Sequence, residues 1–192
     1  MKKLIYIEED FLSPSLCQPF IDLYDNSEDS FLKSVTHSNS NESLEKNPVI
    51  PEVEWRDHAA VYFGGDVDPV QLNLTKNELF VEVINKVTNL CKSFEPNANL
   101  DYVGVVRWPP GTHMKPHFDN NDVHTPDLFA CMLYLNDNYE GGHTIFEHMN
   151  VEPKAGKLLI FSNAQYLHYV NEVKGADRFN LSFWYNHADL PS

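Results

Sequence analysis

Arg178-Phe179-Asn180-Leu181-Ser182-Phe183-Trp184-Tyr185-Asn186 alternates strictly between two kinds of side chain. Successive side chains of an extended chain point to opposite faces, so Phe179, Leu181, Phe183 and Tyr185 share one face and Arg178, Asn180, Ser182 and Trp184 the other. The apolar face suits a covering layer of helix. If it packs outward, the second face looks into a barrel interior and carries a single Arg among polar groups. A buried guanidinium requires an anion. No acid follows Arg178 on its own face, which leaves an acid from another strand or a bound dicarboxylate, held by a two-pronged contact, to supply it.

Outward from this strand the pattern repeats. Tyr102 to Trp108, Phe129 to Asn136, Thr144 to Phe146, Lys157 to Phe161 and His168 to Val173 are short and rich in β-formers. Asp137-Asn138 and Gly141-Gly142 are turn signals, and no internal repeat of fixed period is present. Many short strands at short spacing predict a mainly β fold, a sandwich, jelly roll or barrel. Two helical segments flank it. Thr75-Lys76-Asn77-Glu78 is a capping box, and Phe80, Val83, Ile84, Val87, Leu90, Cys91 and Phe94 recur at helical spacing up to Pro96. Near the start, Lys3 to Ile7 reads as a strand and Ser13-Pro14 as a helix start leading into Leu16 to Tyr24, with Pro19 making the early part irregular. Asn26 to Asn47 is polar and without period, and reads as a long loop, either a lid over a site or an inert insertion. One domain over 1–192 is expected: 1–99 gives helical support and the lid loop, and 100–186 the β core.

Composition narrows the partners. With 14 Lys and Arg against 28 Asp and Glu the net charge is −14, a surface that repels nucleic-acid backbones and acidic membranes. No apolar run approaches the roughly 18 residues of a membrane span. The acidic turn at Glu8-Glu9-Asp10 argues against a secretory leader, so a cytoplasmic location is expected. Cys17, Cys91 and Cys131 lie far apart among apolar residues, as reduced core thiols do, and no CxxC offers a zinc or dithiol site.

His117-Phe118-Asp119 places imidazole and carboxylate on one side of a strand, where they converge as metal ligands must. The pattern is cheap: with 9 His and 28 acids, about one such pair arises by chance, and His187-Ala188-Asp189 is a second. Context separates them. Little chain follows His187 to complete a site. His117 follows the sharp turn Trp108-Pro109-Pro110-Gly111, and His168 and Arg178 lie downstream at strand starts. Two His and one carboxylate on one side of a metal leave three positions open, the arrangement of non-haem Fe(II) oxygenases. His37, His58, His113, His124, His143 and His148 show no comparable partners.

Taken together, Val106-Arg107-Trp108-Pro109-Pro110-Gly111 through His117-Phe118-Asp119, Met132-Leu133-Tyr134-Leu135-Asn136, Glu140-Gly141-Gly142 with Thr144-Ile145-Phe146, and His168-Tyr169-Val170 with Gly175, Arg178 and Trp184-Tyr185 resemble the prolyl 4-hydroxylase-like 2-oxoglutarate and Fe(II)-dependent dioxygenases. The resemblance covers about residues 100–186 in order and spacing, the N-terminus weakly and 26–70 hardly at all. It implies a double-stranded β-helix (jelly roll, cupin-like) with flanking helices. It implies Fe(II) on His117, Asp119 and His168, 2-oxoglutarate chelating that iron with its far carboxylate on Arg178 and Tyr134, Trp108 beside it, and dioxygen in the remaining position. Ascorbate is an optional reductant of such enzymes. Trp184, Trp55 and Arg56 are the implied substrate contacts. The chain departs from the family at Trp108 and Met114, where Tyr is common, and at His143, where an acid is common; these changes bear on substrate choice.

The implied activity is hydroxylation of prolyl residues in a peptide or protein, with release of succinate and carbon dioxide. Its rivals are hydroxylation of a free amino acid or small metabolite, a nucleic-acid demethylase disfavoured by the charge, and a catalytically silent β-helix that binds a partner. The intact His117, Asp119, His168 and Arg178 argue against silence.

Overall fold

The computed structural model describes residues 3–25, 59–63, 78–119 and 128–187. In chain order they form β1 (Ile5–Glu8), α1 (Gln18–Asp25), β2 (Ala59–Phe63), α2 (Glu78–Phe94), β3 (Ala98–Trp108), β4 (Met114–His117), β5 (Phe129–Tyr134), β6 (Glu140–Gly141), β7 (Thr144–Phe146), β8 (Met149–Val151), β9 (Leu158–Phe161), β10 (His168–Val170), β11 (Val173–Lys174) and β12 (Arg178–His187). A six-stranded sheet runs β1-β9-β5-β12-β3-β2, a four-stranded sheet β4-β10-β7-β8, and β11 and β6 make a small ribbon. The strand pairs are antiparallel. The architecture is mainly β, two antiparallel sheets with helices against the larger one, as the double-stranded β-helix expected from the sequence requires.

β12 lies between β5 and β3, and its alternation divides the molecule. Phe179, Leu181, Phe183 and Tyr185 join Val103, Val105, Phe129, Cys131, Leu133, Leu158 and Ile160 in one buried cluster with the helices. α1 contributes Phe20, Ile21 and Tyr24, and α2 contributes Phe80, Val83, Val87 and Cys91, the helical stripe expected from their spacing. Thr88 Oγ1 and Tyr185 Oη, 2.9 Å apart, pin α2 to β12. The other face of the large sheet meets the small sheet. There Ala130, Tyr134, Leu159 and Phe161 pack with Phe146 and Val151, and Val106 and Trp108 with Met114, Val170 and Val173.

Several local expectations change. Pro19 sits in the first turn of α1, where the N–H it lacks would have had no helical partner, so α1 is regular from Gln18. Pro14 opens a separate 3-10 turn, Pro14–Leu16, and the Ser13 hydroxyl pairs with that of Ser15 instead of capping it. The span His168 to Val173 is two strands, because Asn171 turns aside and accepts the His143 N–H at 2.6 Å. The strand expected at His117 to Asp119 is β4, which ends at His117 and leaves Asp119 beyond it; as an edge strand it tolerates the N–H that Pro116 lacks. Thr75, Lys76 and Asn77 of the capping box and the loop Asn26 to Asn47 lie outside the described residues, as do Trp55 and Arg56.

Phe183 is fully buried between sheet and helices. Phe183→Ala is expected to destabilise the protein by about 3–5 kcal/mol in urea denaturation, from lost burial plus an unfilled cavity. A loss under about 1 kcal/mol would mean that the helix layer collapses onto the gap.

Candidate active site

β4 ends at His117, and the residue opposite it on β10 is His168. Asp119 follows two positions on. This register brings three side chains together between the two sheets: His117 Nε2 lies 3.1 Å and His168 Nε2 3.3 Å from Asp119 Oδ1. All three ligand atoms fall within 4.8 Å of one another. Each imidazole is turned by its other nitrogen. His117 Nδ1 is 2.7 Å from the Lys115 carbonyl oxygen and His168 Nδ1 is 3.1 Å from that of Tyr166. A carbonyl only accepts, so Nδ1 carries the proton and donates, and a neutral Nε2 offers its lone pair. Two such lone pairs and a carboxylate oxygen then meet at one point. They repel unless a proton or a metal ion lies between them, and a metal satisfies all three at once. The backbone carbonyls behind the rings are the outer support that metal-bound histidines ordinarily have. The donor set therefore fits Fe(II), with three positions left on one side.

Electrostatics agree. Burial disfavours charge on His117, yet the Asp119 carboxylate, helped by the Lys115 carbonyl, outweighs it and raises the imidazole's pKa. Burial would raise that of Asp119, but the hydrogen bonds and charges of His117 and His168 hold it down to about 2. Phe161 packs edge-on against the His168 ring at 4.7 Å, and Phe146 lies 5.8 Å from it.

The second feature is Arg178. It is 0 % exposed, and its Nε and Nη1 have no hydrogen-bond partner. Nη2 reaches the Met132 sulfur at 3.7 Å. The neighbouring acid, Asp177, is held by Arg107 at 2.6 Å. Among the described residues no carboxylate pairs with Arg178, so the need for an outside anion stands. Aromatic faces hold the guanidinium: Trp108 at 4.7 Å and Tyr134 at 5.4 Å from ring centre. The Trp108 indole N–H is donated to Asn180 Oδ1 at 2.9 Å, and Asn180 in turn donates to Ser182 Oγ. Trp108 thus bears on Arg178 through its ring face, while its N–H is held by Asn180. Tyr134 Oη and Thr144 Oγ1, 2.8 Å apart, bridge the two sheets beside it. Gly142 has φ +64°, and a Cβ there would come within 2.9 Å of Arg178 Cδ, so a side chain at this position would displace the arginine.

The remaining candidates sort plainly. Trp184 packs with the inner cluster around Phe146 and Phe161. His187 closes β12 opposite Ala98, nine residues from Arg178, about 30 Å along an extended strand and apart from the triad. His143 bonds Asn150 and His148 lies beside Glu147 on the surface. Asn180 braces Trp108 from the face it was expected to share with Arg178. Thr144 and Tyr139 were not singled out; the signal for Thr144 was alternation with Phe146, and Tyr139 lies between strands and had none.

A double-stranded β-helix with a two-His, one-carboxylate cluster between its sheets defines a class, the non-haem iron oxygenases. Residues 103–186 match the model of the 2OG-Fe(II) oxygenase superfamily. A PKHD-type hydroxylase of Prochlorococcus marinus is 31% identical over 104 residues, 50% of this chain and 46% of that protein. The chain aligns with less than half the length of the curated relatives it matches. The crystal structure of a viral collagen prolyl hydroxylase from Paramecium bursaria Chlorella virus-1, in complex with 2-oxoglutarate, superposes with TM-score 0.64 at 20% identity, covering 95% of this chain and 96% of that one. A Trichoplax adhaerens prolyl hydroxylase, bound to a hypoxia inducible factor peptide fragment, superposes with TM-score 0.62 at 17% identity, covering 98% and 87%.

His117→Ala and Asp119→Ala are expected to lose Fe(II) or Mn(II) binding by calorimetry while keeping the native circular dichroism spectrum, and His187→Ala to change neither. Metal affinity should rise with pH through the His117 range, because the ion displaces a proton held there. In metal-free protein the Asp119 contribution to stability is complete above its unfolded pKa of about 3.9 and lost as pH falls through about 2. That of His117 is complete below about 6.5 and lost as pH rises through its raised value. Asp119→Asn should flatten both limbs of the melting-temperature profile. An Asp119→Asn profile that matched the wild type would refute the coupling.

Proposed function

We propose that this chain is a 2-oxoglutarate- and Fe(II)-dependent hydroxylase of prolyl residues in a peptide or protein. The observation that carries the chemistry is the buried, anion-lacking Arg178 in the same inter-sheet interior as the His117, Asp119 and His168 cluster. The chemistry supplied by Fe(II) and 2-oxoglutarate when bound is activation of dioxygen, with 2-oxoglutarate converted to succinate and carbon dioxide and one oxygen atom inserted into a substrate C–H bond. His117, Asp119 and His168 would hold the metal. Arg178 would bind the far carboxylate by charge-assisted hydrogen bonds, fixing the direction in which the 2-oxo acid enters. The Tyr134 and Thr144 hydroxyls, held to each other, present one further proton toward that end. Met132, Phe146 and Phe161 give the interior apolar walls that keep water from it. The two structural neighbours named as prolyl hydroxylases, one of them bound to a peptide fragment, support a peptidyl substrate. The acidic net charge of −14 weighs against nucleic acid.

Incubation with Fe(II), 2-oxoglutarate and ascorbate should release succinate, and mass spectrometry of a proline-containing peptide library should find one added oxygen. Oxidation of a free amino acid with no peptide product would overturn the peptidyl reading alone. Arg178→Ala should weaken 2-oxoglutarate at least about tenfold in an anaerobic titration, with Arg178→Lys intermediate because it keeps charge but loses the fork. Unchanged affinity in Arg178→Ala would make the arginine structural and contradict the assignment.

A further inference from the structure

Tyr139 precedes the Gly141-Gly142 turn and leans into the interior with Trp108, Val106 and Val173. Its ring is partly exposed, but its hydroxyl is sealed from solvent and has no hydrogen-bond partner. A buried hydroxyl left unpaired is unfavourable, and such groups are few in folded proteins. The hydroxyl is not alone. The Arg178 charge acts on it directly, and the Tyr139 ring and Arg178 Cδ crowd the same side of Gly142, at 3.0 and 2.9 Å from where a Cβ would stand. Arg178 Nε and Nη1 are unpaired in the same way. Three polar atoms that lack partners thus belong to one corner of the interior. Two of them can only donate; the third, whose oxygen can accept from Arg178, keeps its own proton to give.

We propose that the Tyr139 hydroxyl is a third donor to the carboxylate that Arg178 binds, and so a specificity residue for dicarboxylate over monocarboxylate 2-oxo acids. The inference rests on the 2-oxoglutarate reading of the site. The donor count supports it. A carboxylate has about four lone-pair positions. Arg178 Nε and Nη1 fill two, the Tyr139 hydroxyl a third, and the spare proton of the Tyr134–Thr144 pair the fourth. Burial raises the Tyr139 phenol above its ordinary value despite the Arg178 charge, so it keeps its proton and donates throughout the working range. A solely structural tyrosine would hold its hydroxyl on a carbonyl or side chain, as Tyr185 does on Thr88.

Tyr139→Phe removes the hydroxyl and little else. With the Mn(II)-loaded full chain, titrated without oxygen, 2-oxoglutarate should bind about tenfold more weakly to the variant. Binding of 2-oxobutyrate, which lacks the far carboxylate, and of Mn(II) itself should be unchanged. The ligand-free variant should melt at or above the wild-type temperature, since an unpaired buried group is gone, while the rise in melting temperature on adding 2-oxoglutarate shrinks. Equal 2-oxoglutarate affinity in the two proteins overturns the inference and leaves the functional reading intact. So does equal weakening of 2-oxobutyrate, or a lower ligand-free melting temperature with unchanged affinity. Failure of the wild-type protein itself to bind 2-oxoglutarate would instead overturn the functional reading, and this inference with it.

Discussion

The two-sided alternation of β12 is the constraint on which the rest depends. One strand must present aromatic and aliphatic groups to α1 and α2 and, one residue out of step, a guanidinium, an amide and a hydroxyl to the interior. A slip of one residue against β3 or β5 would drive Arg178 into the helix layer and Phe179 into the pocket. Both neighbours fix the register, with Asn180 opposite Val106 on one side and Tyr134 on the other. The burial of Phe179, Leu181, Phe183 and Tyr185 therefore does more than stabilise the sheet. It aims Arg178 inward whether or not anything there receives it.

The interior is organised by what it lacks. Three electron-rich atoms converge at the His117, Asp119 and His168 cluster, and electron-poor donors remain open at Arg178. Each arrangement is unfavourable by itself, and natural folds keep such departures where function requires them. The aromatic rings make the second one tolerable. Trp108 and Tyr134 flank the guanidinium with their π faces, and Asn180 fixes the indole that does so. An arginine is thereby held ready, and among the described residues no carboxylate competes with a ligand for it.

Much of this was legible in the sequence because it follows from a period of two. The faces of β12 and the helical stripe of α2 come from alternation or helical spacing along one segment, whereas Asp119 meets His117 from a bend just past the end of β4 and not, as the spacing had suggested, from the same strand face. What stayed hidden depends on register between segments. Trp108 was readable as an interior residue, but its bond to Asn180 exists only because β3 and β12 pair as they do. The bounds of β4 were not legible, since its four residues carry no clear alternation and Pro116 is tolerated only because the strand lies at an edge. Tyr139 and Thr144 gained meaning only when Gly142 brought the hairpin against Arg178, a contact no local pattern announces.

The central claim is that the metal cluster and Arg178 are two ends of one site for a 2-oxo dicarboxylate. A crystal structure of the protein grown without oxygen in the presence of Mn(II) and 2-oxoglutarate tests it most directly. The expected result is the metal on His117 Nε2, Asp119 and His168 Nε2, chelated by the 2-oxo acid end, with the far carboxylate on Arg178 Nε and Nη1. A metal elsewhere, or a carboxylate that leaves the guanidinium untouched, would contradict the account.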